Sequence, residues 1–128
     1  MFKATLSFLL LFPFYVYSMD ITESAISGKW NVTAIVMGSL GELPAGKNDY
    51  FKFENGILLS SAQGEESEAA YTLEENKIVV TYPNKKEVLT VTKFTENEMT
   101  FFVNVFVNGK ELSAGNISFK LLRPKSGN

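Results

Sequence analysis

From Gly28 onward apolar residues recur at every second position, and that period confines the chain to strands. Trp30, Val32, Ala34 and Val36 share one face of a first strand, with Asn31 and Thr33 on the other. Such alternation marks a half-buried strand, whereas a helix would repeat every 3.6 residues. Asn55-Gly56 and Asn108-Gly109 supply the strongest short hairpin signals, because a type I′ turn needs positive φ at both central residues. Between these marks, residues 28–36, 50–54, 57–61, 70–73, 77–82, 86–93, 99–107 and 110–123 read as eight strands. Their connections are mostly of hairpin length. Residues 37–49 and 63–68 read as longer loops, the second acidic, and Gly115 as a bulge. Asp20 and Glu23 have the spacing of a capping box, so residues 19–27 form either one helical turn, with Ile21, Ala25 and Ile26 plugging one end, or a frayed terminus.

An open sheet of eight strands leaves two hydrogen-bonding edges; closing it up-and-down removes them. The expected fold is therefore all-β, an eight-stranded antiparallel up-and-down barrel over residues 28–124, with at most a short N-terminal helical turn. A β-sandwich is the rival and needs longer crossovers than this chain has. With an even strand number, the first strand begins and the last ends at the same rim, and closure makes them neighbours. Trp30 is the only tryptophan and Arg123 the only arginine, and each stands at one of those two ends. They are expected to stack as a cation–π pair that closes the barrel floor; the alternative is a solvated strand end for Arg123.

Gly28-Lys29-Trp30 on the first strand, with an arginine ending the last, resembles the lipocalins and the shorter bacterial lipocalin-like domains. The likeness runs from Ile26 to Pro124. It implies a tryptophan at the closed end with the arginine packed across it. Thr95-Glu96-Asn97 stands where the family carries Thr-Asp-Tyr, the chain ends before the helix that follows the barrel in full-length members, and there is no disulfide. The resemblance thus implies the fold rather than a ligand.

Ahead of the barrel, Lys3 precedes an apolar run from Leu6 to Val16, and Val16-Tyr17-Ser18 offers a cleavage site. Residues 1–18 are expected to be a signal peptide cut after Ser18, which directs the protein to the periplasm or the medium. A retained anchor is the other reading, although the run is short for a bilayer. Cleavage leaves 110 residues, one domain, with residues 125–128 as a tail. Losing Lys3 leaves eleven basic against fourteen acidic residues, a net charge of −3 scattered along the chain. Nucleic acid, which needs a basic stripe, is not an expected partner. The lack of cysteine removes both disulfides and a lipid attachment point, leaving the core alone to hold an exported domain, and points to a bacterial host. In such a host the glycosylation patterns at Asn31 and Asn116 carry no meaning.

Neither histidine nor cysteine occurs in the chain. A Ser-His-Asp triad, a thiol nucleophile and a histidine metal site are thereby excluded. No enzyme activity, cofactor or metal is expected. The first functional expectation is a non-enzymatic binder of a small hydrophobic molecule of the lipid or fatty-acid class. Parity places Val36, Phe51, Phe53, Leu59 and Tyr71 toward the barrel interior. Tyr82, Leu89, Phe101, Val103 and Phe119 join them as ligand-binding candidates, with residues 37–49 as a lid over the mouth. The alternative is a self-filled barrel acting as an interaction or inhibitor module, or as a homodimer, through an outward aromatic pair, Phe102 and Phe106.

Overall fold

The two Asn-Gly pairs take the left-handed backbone that their turns demand, with φ of 54° and 78° at Asn55 and Gly56, and 54° and 80° at Asn108 and Gly109. These turns sit in a computed structural model that describes residues 20–62, 64–112 and 117–124. The expected leader and cleavage site, the expected bulge at Gly115 and the expected tail lie outside the described residues. A short helix, α1 (Glu23–Ile26), precedes β1 (Gly28–Met37), β2 (Glu42–Pro44), β3 (Tyr50–Glu54), β4 (Ile57–Ala62) and β5 (Glu65–Glu74). Then follow β6 (Lys77–Thr81), β7 (Lys86–Phe94), β8 (Glu98–Val107), β9 (Lys110–Glu111) and β10 (Ile117–Leu122).

Eight of these described strands form a closed antiparallel barrel in the order β1-β3-β4-β5-β6-β7-β8-β10, with β10 returning to β1. Closure leaves no barrel strand with an unpaired edge along its whole length, the reason an eight-stranded sheet of this composition rolls up. The short β2 and β9 flank the mouth, β2 beside β1 and β9 beside β8. Residues 37–49 are thus not a plain loop: they hold a 3₁₀ turn over Gly38–Leu40 and then β2. Nor are residues 65–68 a loop, since β5 starts at Glu65 and lays Glu66 and Glu68 on the outer face while Ser67, Ala69 and Tyr71 turn inward.

Two bulges break the alternation. In β1, Val32 pairs with Leu121 and Ala34 with Lys120, leaving Thr33 as the extra residue. In β7, Val91 pairs with Phe101 and Lys93 with Thr100, leaving Thr92. Both extra residues are threonines whose hydroxyls donate to the partner strand, Thr33 to the carbonyl of Lys120 at 3.0 Å and Thr92 to that of Thr100 at 3.4 Å. A bulge disrupts the ladder locally, and each hydroxyl restores a bond across the seam. Beyond Thr33 the inward parity of β1 passes from even to odd positions. Ile35 faces Phe119, and Val36 faces outward opposite Ser118.

The closed end holds the core. Trp30, Phe53, Phe101, Ile26, Ile78 and Met99 are wholly buried there. Burial stabilises each by about 1.5–3 kcal/mol. α1 caps this end: Thr22 is its N-cap, accepting from the Ala25 amide at 3.2 Å, so the helix starts two residues later than the Asp20 capping box suggested. The last carbonyls of a helix lack partners within it. Here Arg123 donates to Ala25 O at 2.7 Å and Ser27 O at 2.9 Å, and the Trp30 indole donates to Ile26 O at 2.8 Å. The guanidinium carbon stands 4.0 Å from the Trp30 ring centroid, and Arg123 Nε donates to Glu96 O at 2.8 Å. One side chain thereby ties the helical turn, the first strand and the β7–β8 turn together. Gly28, at φ 107°, lies beneath it, where an added Cβ would meet the guanidinium at 3.5 Å.

Candidate functional site

Above this floor three phenylalanines from three strands form a layer across the barrel. Phe51 meets Phe101 and Phe119 edge-on, with ring centroids 5.3 and 5.5 Å apart, and Phe101 meets Phe119 at 5.6 Å. Parity explains the meeting: Phe101 and Phe119 are direct partners, and Phe51 faces Trp30 on the far side of β1. Tyr71 and Phe53 lie edge-on in the floor, ring centroids 5.3 Å apart. The Tyr71 hydroxyl donates to the Glu23 carboxylate of α1. Burial first, and Glu23 second, push the Tyr71 pKa above its ordinary value of 10.0.

On the open side of the phenylalanine layer lies a cavity of about 520 Å³. That falls in the size range of pockets that hold small organic ligands. Phe51, Leu89, Val103, Val105, Ile117 and Phe119 supply an apolar wall. The remaining lining is polar: Ser60, Ser67, Tyr82, Lys85 and Glu87. Ser60 and Ser67 are directly opposed on β4 and β5, their hydroxyls 2.8 Å apart. Lys85 Nζ sits 3.2 Å from a Glu87 carboxylate oxygen and 4.8 Å from the Tyr82 ring centroid. Burial raises the Tyr82 pKa, as does the nearby Glu87, while Ser67 and Lys85 act in the opposite sense. Tyr82 is consequently a neutral donor and acceptor at any physiological pH.

The cavity can therefore take the apolar body of a small molecule against one wall and hydrogen-bond its polar end at the other. Among the described residues that line it the one carboxylate, Glu87, is paired with Lys85, and the sequence holds no histidine or cysteine. Among the described residues no cluster of acidic side chains is arranged to hold a metal ion, and no helix is long and apolar enough to cross a membrane.

The lipocalin-like domain family model matches residues 26–101, more than half of the chain. The chain belongs to the lipocalin-like domain family. Members of that family generally bind small molecules rather than catalyse reactions. A solved structure of an uncharacterized protein from Bacteroides eggerthii is similar in fold. It has a TM-score of 0.54 and 12% identity, over 77% of this chain and 99% of that one. No curated protein sequence matches.

Within this lipocalin-like barrel the ten residues expected from parity divide three ways. Phe51, Tyr82, Leu89, Val103 and Phe119 come together around the cavity. Phe53 and Tyr71 face inward but lie in the packed floor below the aromatic layer, and Phe101 is wholly buried within that layer without lining the opening. Val36 and Leu59 do not face inward. The Thr33 bulge turns Val36 outward, and Leu59 sits between Lys52 and Glu68 on the outer face while Leu58 is buried. No residue of the 37–49 segment lines the cavity, so the lid expectation is not met. Phe102 and Phe106 point outward but are only partly exposed, and the Lys86 ammonium lies 5.8 Å from the Phe106 ring centroid.

Sequence reasoning missed Ser60, Ser67, Lys85, Glu87, Val105 and Ile117. The signal for three of them was present. Ser67 has the parity of Tyr71, Glu87 that of Leu89 and Val91, and Val105 that of Phe101 and Val103. A polar residue at an inward position near a barrel mouth is what a ligand site with a polar end requires.

Proposed function

We propose that this protein is an exported, non-enzymatic lipocalin-like carrier that takes up a small hydrophobic molecule outside the cytoplasm. The observation that carries the reading is the half-filled barrel. The aromatic layer of Phe51, Phe101 and Phe119 stops short of the mouth and leaves an apolar cup of about 520 Å³ above it. A barrel evolved only as a packed scaffold gains stability by filling such a volume, since a void deprives its lining of packing partners. Retaining it supports a ligand. Export rests on the charged and apolar residues of the leader and on the Val16-Tyr17-Ser18 site.

Mass spectrometry under non-denaturing conditions on protein purified from its native compartment should show a bound small molecule. Fluorescence titration with an environment-sensitive apolar dye should saturate at one site per chain. Absence of both a bound mass and saturable dye binding would refute the carrier reading. Sequencing of the mature N-terminus should begin at Met19; a chain still starting at Met1 in the exported fraction would refute the cleavage.

A further inference from the structure

The polar side of the cup narrows the ligand further, given that the cup binds a ligand at all. Among the described residues Lys85 is the one cation lining it, and that cation is already engaged. Its ammonium stands 3.2 Å from Glu87 and 4.8 Å from the centre of the Tyr82 ring. Glu87 is itself a lining residue on β7, and its side chain is only 21% exposed. Its inward direction follows from the register, which sets it opposite Val80 and Val105. The other polar groups are three hydroxyls, those of Ser60, Ser67 and Tyr82, which both donate and accept.

From this arrangement we infer that the cup selects an uncharged amphiphile, an apolar body ending in a hydroxyl or amide, and discriminates against a carboxylate-ended one such as a fatty-acid anion. The physical reason is the balance of charge. A ligand carboxylate entering the cup would have to share Lys85 with Glu87 and lie beside that carboxylate as the walls exclude water. Like charges brought together at a partly desolvated surface oppose binding. A hydroxyl or amide meets no such opposition, because the serine and tyrosine hydroxyls can satisfy either its donor or its acceptor without displacing the ion pair.

The test compares two probes with the same apolar body, 1-octanol and octanoate, by calorimetric or NMR titration at pH 8 on the full mature chain. The wild-type protein should bind the alcohol roughly tenfold or more tightly than the acid. Glu87→Gln frees Lys85 and should shift the octanoate-to-octanol affinity ratio roughly tenfold toward the acid, narrowing or reversing the preference. Lys85→Met, as a second variant should Glu87→Gln fail to fold, should shift the octanoate-to-octanol affinity ratio in the opposite sense, further against the acid. Octanoate binding the wild type as tightly as octanol overturns the inference and leaves the carrier reading intact. An alcohol preference that neither variant alters overturns the assignment to the Lys85–Glu87 pair. Failure of both probes, together with failure of the apolar dye, overturns the carrier reading itself and this inference with it.

Discussion

Removing the guanidinium at the floor should cost more than any other single surface-accessible change. Arg123 donates three hydrogen bonds, to Ala25 O, Ser27 O and Glu96 O at 2.7–2.9 Å, and stacks on Trp30 at 4.0 Å. Hydrogen bonds from a charged group contribute roughly 1.5–3 kcal/mol each in general, and a cation–π contact on the order of 1 kcal/mol. Arg123 is only partly buried, so the low end of each range applies, and the three bonds share one geometry rather than adding independently. A loss of about 3–4 kcal/mol for Arg123→Met follows, a large part of the 5–15 kcal/mol typical of a domain. Arg123→Lys keeps the charge but presents one ammonium where three carbonyls diverge, and should recover no more than about 1 kcal/mol. Urea unfolding followed by Trp30 fluorescence measures both, since the chain has no second tryptophan. A midpoint for Arg123→Met corresponding to less than about 1 kcal/mol of destabilisation would refute the claim that this side chain clasps the floor.

Tyr71 and Tyr82 both have pKa values raised above the ordinary 10.0, chiefly by burial. Their contribution is therefore full below pH 10 and is lost as pH rises past it; Tyr71→Phe should flatten the decline of stability with pH measured by urea titration in alkaline buffers. Glu75 holds φ at 56°, a left-handed conformation that costs a side-chain-bearing residue about 1 kcal/mol or more, so Glu75→Asn should raise the urea midpoint by the equivalent of roughly 0.5–1 kcal/mol. Val103 lines the cup without being fully buried, so Val103→Trp should fill the space and abolish saturable dye binding, while the thermal midpoint falls little.

What the sequence made legible was whatever rests on period and parity. Alternation set the strands, the Asn-Gly pairs set two turns, and an even strand count brought Trp30 and Arg123 to one rim. What escaped has three distinct physical causes. Thr33 looks like any strand residue, yet as a bulge it reverses the facing of everything after it in β1, and Val36 goes with it. Composition misled at residues 65–68, where three glutamates suggest a loop although Glu66 and Glu68 take outward strand positions and Ser67 between them faces in. Parity also says which way a side chain points but not how deep along the barrel axis it lies. That is why Phe53 and Tyr71, which lie in the floor, and Phe101, which is buried in the layer above it, read as ligand-binding though none of them lines the cup. Lys85 and Glu87 escaped because an apolar search passes over a charged pair, even where the inward position of Glu87 follows from Leu89 and Val91.

The central claim is a barrel packed below its phenylalanine layer and open above it. Methyl-resolved NMR titration with 1-octanol tests it most directly. Shift changes should gather on Leu89, Val103, Val105 and Ile117 around the cup, and leave Ile26, Val32, Met99 and Leu121 of the floor unmoved. Changes centred on the floor methyls, or spread evenly over the barrel, would contradict it.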